Sequence, residues 1–330
     1  MSAVRFVIYG AGGIGGTIGA RLFQQRESVA LIARGAHLDA IRRDGLTLVA
    51  PDGEHRLPIP AHGHPNEIQW RDGDVVLLCV KSQQTVAALD DLRDAAGDRI
   101  PVICVQNGVA NESTALRRFA RVYAMVVNLP AAHMSPGVVI TYAHEPGGVL
   151  DVGCYPRGVD ALCESVADAL TRAGFSVRPD PAVMRQKYAK LLMNLNNALQ
   201  AATDMAEGAA DISRMLREEA LACYEAAGVA TATAAEVKAR RADGLRYVDI
   251  PGHPRHGGSS WQSVARGTGD IETDYLNGEI VLLGRLHGVP TPANAVIQLL
   301  GNRLARRAMP PGSIDVAEVR AMIEARRADG

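Results

Sequence analysis

The chain has 330 residues, 47% of them apolar and 22% charged, with 35 lysines and arginines against 36 aspartates and glutamates. The length leaves room for two domains with sizeable cores, and the ordinary composition excludes a disordered or fibrous protein. A formal charge of -1 gives no electrostatic reason to bind nucleic acid or an anionic membrane, so the expected partner is a small molecule.

No run approaches the roughly 18 apolar residues of a membrane span. The N-terminal MSAVRFVIYG enters a strand-like run at once, without the charged and long apolar regions of a secretory signal. Cys79, Cys104, Cys154, Cys163 and Cys223 are widely spaced and include no CxxC pair, so neither a zinc site nor a redox motif is signalled. The expectation is a reduced, cytoplasmic protein without a metal.

Val4 to Tyr9 is a short apolar run followed by Gly10, Ala11, Gly12, Gly13, Ile14 and Gly15, and then by a helix-like GTIGARLFQQ. This is GxGxxG between a strand and a helix. Gly10 allows the tight turn, Gly12 lets the backbone approach a pyrophosphate, Gly15 lets helix and strand pack closely, and the helix N-terminus faces the phosphate charge. Where an NAD site usually carries an acidic residue, the second strand, 28–33, runs into Ala33-Arg34-Gly35. A guanidinium there pairs with a 2'-phosphate, which points to NADPH; a solvated loop arginine is the alternative.

Residues 75–80 (VVLLCV) and 101–106 (PVICVQ) read as buried parallel strands. Lys81 and Gln84 follow the first and Asn107 the second, at the strand ends where doubly wound sheets bind ligands. After a strand at 122–127, short β-like pieces at 137–143 and 148–154, a helix at 158–173 and a strand at 175–178 complete the half. The pairs Arg178-Pro179 and Asp180-Pro181 then punctuate the chain. The expected fold is α/β: a Rossmann-type parallel sheet over 1–179 and an all-helical substrate and dimerisation domain over 180–330.

Helical patterns cover 181–206, 211–228, 231–241, 259–266, 272–287, 292–308 and 313–327. In the first of them Lys187, Lys190, Asn194 and Asn197 recur at steps of three, four and three and share one face. The remaining residues are mostly apolar, as in a helix buried on most sides. Such a stripe is paired internally, snorkels to water, or lines a polar cleft, because unpaired buried polar groups cost several kcal/mol. The irregular stretch 246–260, with His253 and His256, reads as a lid or as a plain connection, and two loop histidines without carboxylate support are not a metal site. Ser259 and Ser260 follow, then Asp270, Glu272, Asp274 and Glu279; either Thr268 or Asp270 is a cap for the next helix, and Glu272 is an ionic partner for Lys190 if it faces the stripe. On 292–308, Val296, Ile297, Leu299, Leu300 and Leu304 are core or a dimer seam, and a symmetric dimer is the default expectation.

In order and spacing, GAGGIG, VKSQQ, QNG, YAKLLMN, SSWQS and TGDIETDYLNGEIVLLGRLHGVPTPAN resemble the ketopantoate reductases, over nearly the whole chain. The resemblance implies a C-terminal domain like that of 6-phosphogluconate dehydrogenase and reduction of ketopantoate to pantoate by NADPH. It implies Lys190 as general acid, Asn194 at the substrate hydroxyl end, Ser259 or Ser260 at the substrate carboxylate, and Glu272 interacting with lysine and substrate. The family's second asparagine position holds Ala198 here; Asn197, which stays on the stripe, takes the role, with Asn196 as the alternative. Lys187 is the fallback acid, and Asn107 is assigned to cofactor and substrate alike. The open alternatives are a reductase of another 2-oxo acid and a non-catalytic NADPH sensor.

Overall fold

The computed structural model describes residues 4–255, 257–267 and 269–328, so His256 and Thr268 lie outside the described residues. The first stretch runs β1 (Arg5–Tyr9), α1 (Gly13–Gln24), β2 (Ser28–Ile32), α2 (Gly35–Asp44), β3 (Leu46–Ala50), β4 (Gly53–Leu57) and β5 (Ala61–His62). It continues with β6 (Asp74–Leu78), α3 (Thr85–Ala96), β7 (Val102–Cys104), α4 (Asn111–Leu116), β8 (Val122–Met125), β9 (Ala131–Ser135), β10 (Val138–Thr141), β11 (Ala143–Gly147), β12 (Val152–Cys154) and α5 (Ala161–Arg172). Then come α6 (Val183–Asn194), α7 (Asn196–Thr203), α8 (Ala209–Ala226), α9 (Ala234–Gly244) and β13 (Leu245–Tyr247). The chain ends with α10 (Ser259–Ala265), α11 (Asn277–His287), α12 (Pro292–Arg306) and α13 (Val316–Ala328).

Residues cluster into two compact units, the first comprising 1–106, 111–186 and 233–255, the second 107–110, 187–232 and 256–330. The first is built on a seven-stranded sheet in the order β12-β8-β7-β6-β1-β2-β5, parallel throughout except for β12, which runs antiparallel to β8. Its strands read as continuous apolar runs because both faces are covered. Phe6, Ile8, Leu77 and Ile103 pack on one face with Ile18 and Leu22 of α1 and Val166 and Leu170 of α5. Val7, Val76, Leu78 and Val102 pack on the other with Leu89 and Leu92 of α3 and Ala115 of α4. From β1 the chain moves outward to β2 and then returns to add β6 on the opposite side. The strand order therefore reverses between β1 and β6, where such sheets bind ligands beyond their carboxyl ends.

Residues 36–74, which the sequence reading leaves unassigned, hold α2 and the β3–β4 hairpin. That hairpin joins β10 and β9 in a second sheet, ordered β4-β3-β10-β9. The expected strand at 175–178 is reduced to isolated bridges, Ser176 with Val149 and Pro179 with Val152.

The second unit is helical, as the pattern predicts, with two adjustments. The expected helix 181–206 is interrupted at Leu195, and the expected helix 272–287 begins as a 3-10 turn, Glu272–Tyr275, before α11. Asn277 explains the first interruption: its Nδ2 donates to the Leu195 carbonyl and to Oδ1 of Asn294, each at 3.1 Å. Asn294 in turn donates to the Leu216 carbonyl at 3.1 Å and to Glu219 at 2.8 Å. The Glu219 carboxylate also accepts the backbone N–H groups of Ala293 and Asn294, capping α12. Of the α12 residues in question, Val296, Ile297, Leu300 and Leu304 are core, whereas Leu299 is exposed.

The expected division at residue 180 differs from this packing in two ways. The chain changes unit within α6, after Gln186, and residues 233–255 pack with the sheet unit rather than with the helices around them in sequence. The reason is chemical. Arg240 of α9 is buried and donates to Asp151 at 2.8 and 2.6 Å and to Ser176 Oγ at 2.8 Å, while β13 pairs antiparallel with β11. No described helix is long and apolar enough to cross a membrane.

Candidate active site

In the sheet unit, β1 leads into the glycine loop. Gly10 has φ +104°, and a Cβ there would lie 2.8 Å from the Val80 nitrogen. The amides of Gly10 and Ala11 both donate to the Ile32 carbonyl, at 3.0 and 3.2 Å, which fixes the loop to the end of β2. Gly12 is the N-cap of α1, and the first turn of that helix carries no acidic residue. A Cβ on Gly12 would meet nothing within 4 Å, whereas one on Gly15 would stand 2.2 Å from the Gly10 carbonyl and 2.8 Å from Cys79 and Ile8 side chains. The two glycines thus serve different ends, one leaving open space before a helix N-terminus and the other allowing close packing, and this donor set fits a dinucleotide pyrophosphate.

A prediction separates the two roles. Gly15→Ala is expected to destabilise the fold by about 1–3 kcal/mol through overpacking. Gly12→Ala should keep the wild-type thermal midpoint and lose dinucleotide affinity; equal midpoints for both variants would contradict the assignment.

Beneath the loop lies a contact that the sequence reading missed. His37 of α2 accepts the Gly137 N–H at Nδ1, 2.8 Å, so Nε2 carries the proton and donates to the Ala11 carbonyl, also 2.8 Å. Its ring lies 4.1 Å from that of His133, and burial holds its pKa below the usual histidine range. The folded state prefers neutral His37, so its stabilising contribution is complete above the unfolded pKa of about 6.5 and declines as pH falls below it toward the depressed folded value. The thermal midpoint of the wild type is therefore expected to fall on acidification below about pH 6.5 more steeply than that of His37→Gln, as thermal melts across pH will show.

Arg34 stands at the N-cap of α2, exposed and extended, and the first turn of α2 holds no acidic residue. Lys81 caps the 3-10 turn Ser82–Gln84 after β6. That turn is held by a buried network: Gln106 donates to the Val80 carbonyl and to Thr85 Oγ1 at 2.8 Å each, Thr85 donates to Asn111 at 2.8 Å, and Asn111 donates to Ser82 Oγ at 3.1 Å. Polar residues at the ends of apolar strands were the available signal for Ser82, Thr85, Gln106 and Asn111.

In the helical unit, the expected stripe is divided, with Lys187, Lys190 and Asn194 on α6 and Asn197 on α7. Lys187 is buried and Lys190 half-buried, while Leu191, Leu195 and Leu199 are fully buried. Lys190 Nζ donates to Asn107 Oδ1 at 2.5 Å. Asn107 sits on a turn whose next residue, Gly108, has φ +78° and approaches the backbone so closely that a Cβ would lie 2.9 Å from the Tyr275 carbonyl. The loop bearing Asn107 thereby meets both Lys190 and the Glu272–Tyr275 turn. Glu272 is buried at the start of that turn.

The Oδ1 atoms of Asn194 and Asn196 are buried without a hydrogen-bond partner among the described residues. Asn197 Oδ1 would be 3.3 Å from a Cβ on Gly258, whose N–H donates to Gln200 at 2.8 Å. Gly258, absent from the sequence reading, lets the start of α10 lie against the stripe. Ser259 is half-buried there and Ser260 buried. A primary ammonium, a buried carboxylate, amides and a hydroxyl are the groups that bind and protonate an oxo acid.

The family model for the ketopantoate reductases PanE/ApbA matches residues 6–157, and the model for the C-terminal part of that family matches residues 182–303. The chain belongs to the ketopantoate reductase family. Family membership makes it an oxidoreductase of this type. A curated 2-dehydropantoate 2-reductase of Halobacterium salinarum is 29% identical over 310 residues, spanning 92% of this chain and 99% of its own. One from Mesorhizobium japonicum is 29% identical over 334 residues, with 92% and 98% covered. The crystal structure of a PanE/ApbA family ketopantoate reductase from Ralstonia eutropha JMP134 superposes with a TM-score of 0.78 at 30% identity, covering 92% of this chain and 99% of that one. A D-mandelate dehydrogenase in ternary complex with NADH and anilino(oxo)acetate shares the fold, with a TM-score of 0.78 at 20% identity and 92% and 99% coverage.

Proposed function

We propose that this enzyme reduces ketopantoate (2-dehydropantoate) to pantoate with NADPH, on the cytoplasmic route to pantothenate and coenzyme A. The observation that carries the reading is Lys190, a half-buried ammonium on α6 that donates to Asn107 beside the buried Leu191 and Leu192. NADPH, when bound, supplies a hydride to the 2-oxo carbon.

Lys190 donates a proton from Nζ to the oxygen on which charge develops, and its positive charge stabilises that alkoxide before transfer. Asn107 accepts one Nζ hydrogen and so aims another. Glu272 balances the charge of the lysine and holds it in position. Lys187, on the same stripe, is the more deeply buried of the two lysines, which favours Lys190 as the acid. Ser259 or Ser260 takes the substrate carboxylate. Asn194 and Asn197 take its hydroxyl end, the unpartnered Oδ1 of Asn194 serving as acceptor.

Gly10 to Gly15 hold the pyrophosphate, Lys81, Gln84 and Asn107 contact the cofactor, and Arg34 pairs with the 2'-phosphate. Loss of that charge-assisted bond in Arg34→Ala is expected to raise KM for NADPH about 10- to 150-fold and leave KM for NADH unchanged. The deciding experiment follows NADPH and NADH oxidation by the purified protein with ketopantoate and a panel of other 2-oxo acids. Turnover of ketopantoate with NADPH in preference to NADH supports the reading, and turnover confined to another acid overturns the substrate while leaving the acid catalyst in place.

A further inference from the structure

One cluster of ligating side chains stands apart from the residues used above. It lies in the sheet unit, where β12 ends at Cys154 and α5 begins just after its N-cap, Asp160. The Cys154 and Cys163 sulfurs are 3.9 Å apart, and one ligand atom from each of Cys154, Asp160 and Cys163 lies within 4.8 Å of the others. Two thiolates on one tetrahedral zinc, with Zn–S of about 2.3 Å, stand about 3.8 Å from each other. The sulfur pair already spans that edge.

The carboxylate is oriented as a metal ligand needs to be. Asp160 Oδ1 accepts the N–H groups of Leu162 and Cys163 at 3.0 Å, and Oδ2 accepts the Tyr123 hydroxyl at 2.7 Å. Tyr123 in turn accepts a hydrogen bond from Arg121 at 3.2 Å. Two thiolates and a carboxylate around a divalent cation leave one excess negative charge, which the Arg121 guanidinium offsets. The connecting loop is pinned, since Cys154 donates to the Gly158 carbonyl and Gly158 to that of Pro181, both at 2.8 Å. Cys163 is fully buried, whereas Cys154 is half-buried beside exposed Pro156, Arg157 and Val159, which gives an ion a way in.

We infer that Cys154, Asp160 and Cys163 form a binding site for a thiophilic divalent cation of the zinc and cadmium class, with water as fourth ligand. Binding forms two metal–sulfur bonds and releases the two thiol protons to solvent. The ion staples the three-residue edge strand β12 to the start of α5. The spacing C-x5-D-x2-C lacks a CxxC, which is why the sequence did not announce it.

The test uses the full chain, reduced and stripped with chelator, titrated with Cd²⁺ while the ultraviolet thiolate-to-cadmium band is recorded. A band saturating at one ion per chain, release of two protons, and a thermal midpoint raised by Zn²⁺ are expected. Cys154→Ser and Asp160→Asn, which keeps a capping side chain, should each bind about 10- to 100-fold more weakly while retaining turnover and far-ultraviolet circular dichroism. Absence of a stoichiometric band, or a band of unchanged affinity in Cys154→Ser, would overturn the site. So would a Cys154–Cys163 disulfide, found by a mass loss of two hydrogens in protein handled without reductant, if no band appears after reduction.

Discussion

Lys190→Ala is expected to fold, to bind NADPH with wild-type affinity and to lose about 10²- to 10⁴-fold in kcat. Folding should survive because alanine is the best helix former and the position is only half-buried, with the packing of α6 resting on Val183, Leu191 and Leu192. The loss falls on kcat because the proton is transferred only as the alkoxide forms, so the interaction belongs to the transition state. Lys190→Arg retains the charge but not the acid, since a guanidinium does not give up its proton near neutrality, and should recover only the electrostatic part. Asn107→Ala tests positioning: it leaves Nζ in place without its 2.5 Å acceptor, and a loss of about 10- to 150-fold in kcat is expected. Single-turnover and steady-state rates of the three variants, beside NADPH binding by fluorescence, read all of this. Near-normal kcat in Lys190→Ala would remove the residue from the chemistry and turn attention to Lys187.

What the sequence made legible was whatever depends on neighbours close along the chain. The glycine loop could be read because its pattern is confined to one strand, turn and helix, although Gly10 and Gly15 also make room for Val80 and Cys79, about 70 residues on. The Lys187, Lys190, Asn194 and Asn197 face could be read because helical spacing is local, and the interruption at Leu195 arises from Asn277, 82 residues away. That same asparagine and Asn294 belong to the stretches that carried the family resemblance, yet both are core ties. A recurring motif does not distinguish a residue that meets substrate from one that holds the helix presenting it. Cys154, Asp160 and Cys163 illustrate the opposite limit: they are close in sequence, but only the turn after β12 brings the two sulfurs to 3.9 Å.

The placement of α9 was not legible at all, and it leads to the second large effect. Arg240→Ala is expected to cost about 3–5 kcal/mol of stability, with a fall of roughly 6–15 °C in the thermal midpoint, because it strands the Asp151 carboxylate in the interior. The pair is two-pronged, the side chains are 8% and 5% exposed, and two further guanidinium hydrogens go to Ser176. Sequence spacing offers Arg240 the local partners Glu236 and Asp243, which pair instead with Arg185 and Arg178, whereas the observed partner Asp151 is 89 residues away. Arg185→Ala offers the control, because it breaks only an exposed pair with Glu236, 3.4 Å apart, and leaves Glu236 to cap α9, so it should hardly move the midpoint. The double substitution Arg240→Met with Asp151→Leu should regain most of the lost stability, because the stranded charge has gone. Recovery should stop short of wild type, because Asp151 Oδ1 also accepts the Arg178 N–H at 2.9 Å and leucine leaves that donor unsatisfied. If Arg240→Ala instead behaves like the exposed control, the docking of residues 233–255 rests on backbone pairing and the close approach of Gly244, where a Cβ would lie 2.5 Å from Val149, and Gly244→Ala becomes the more damaging change.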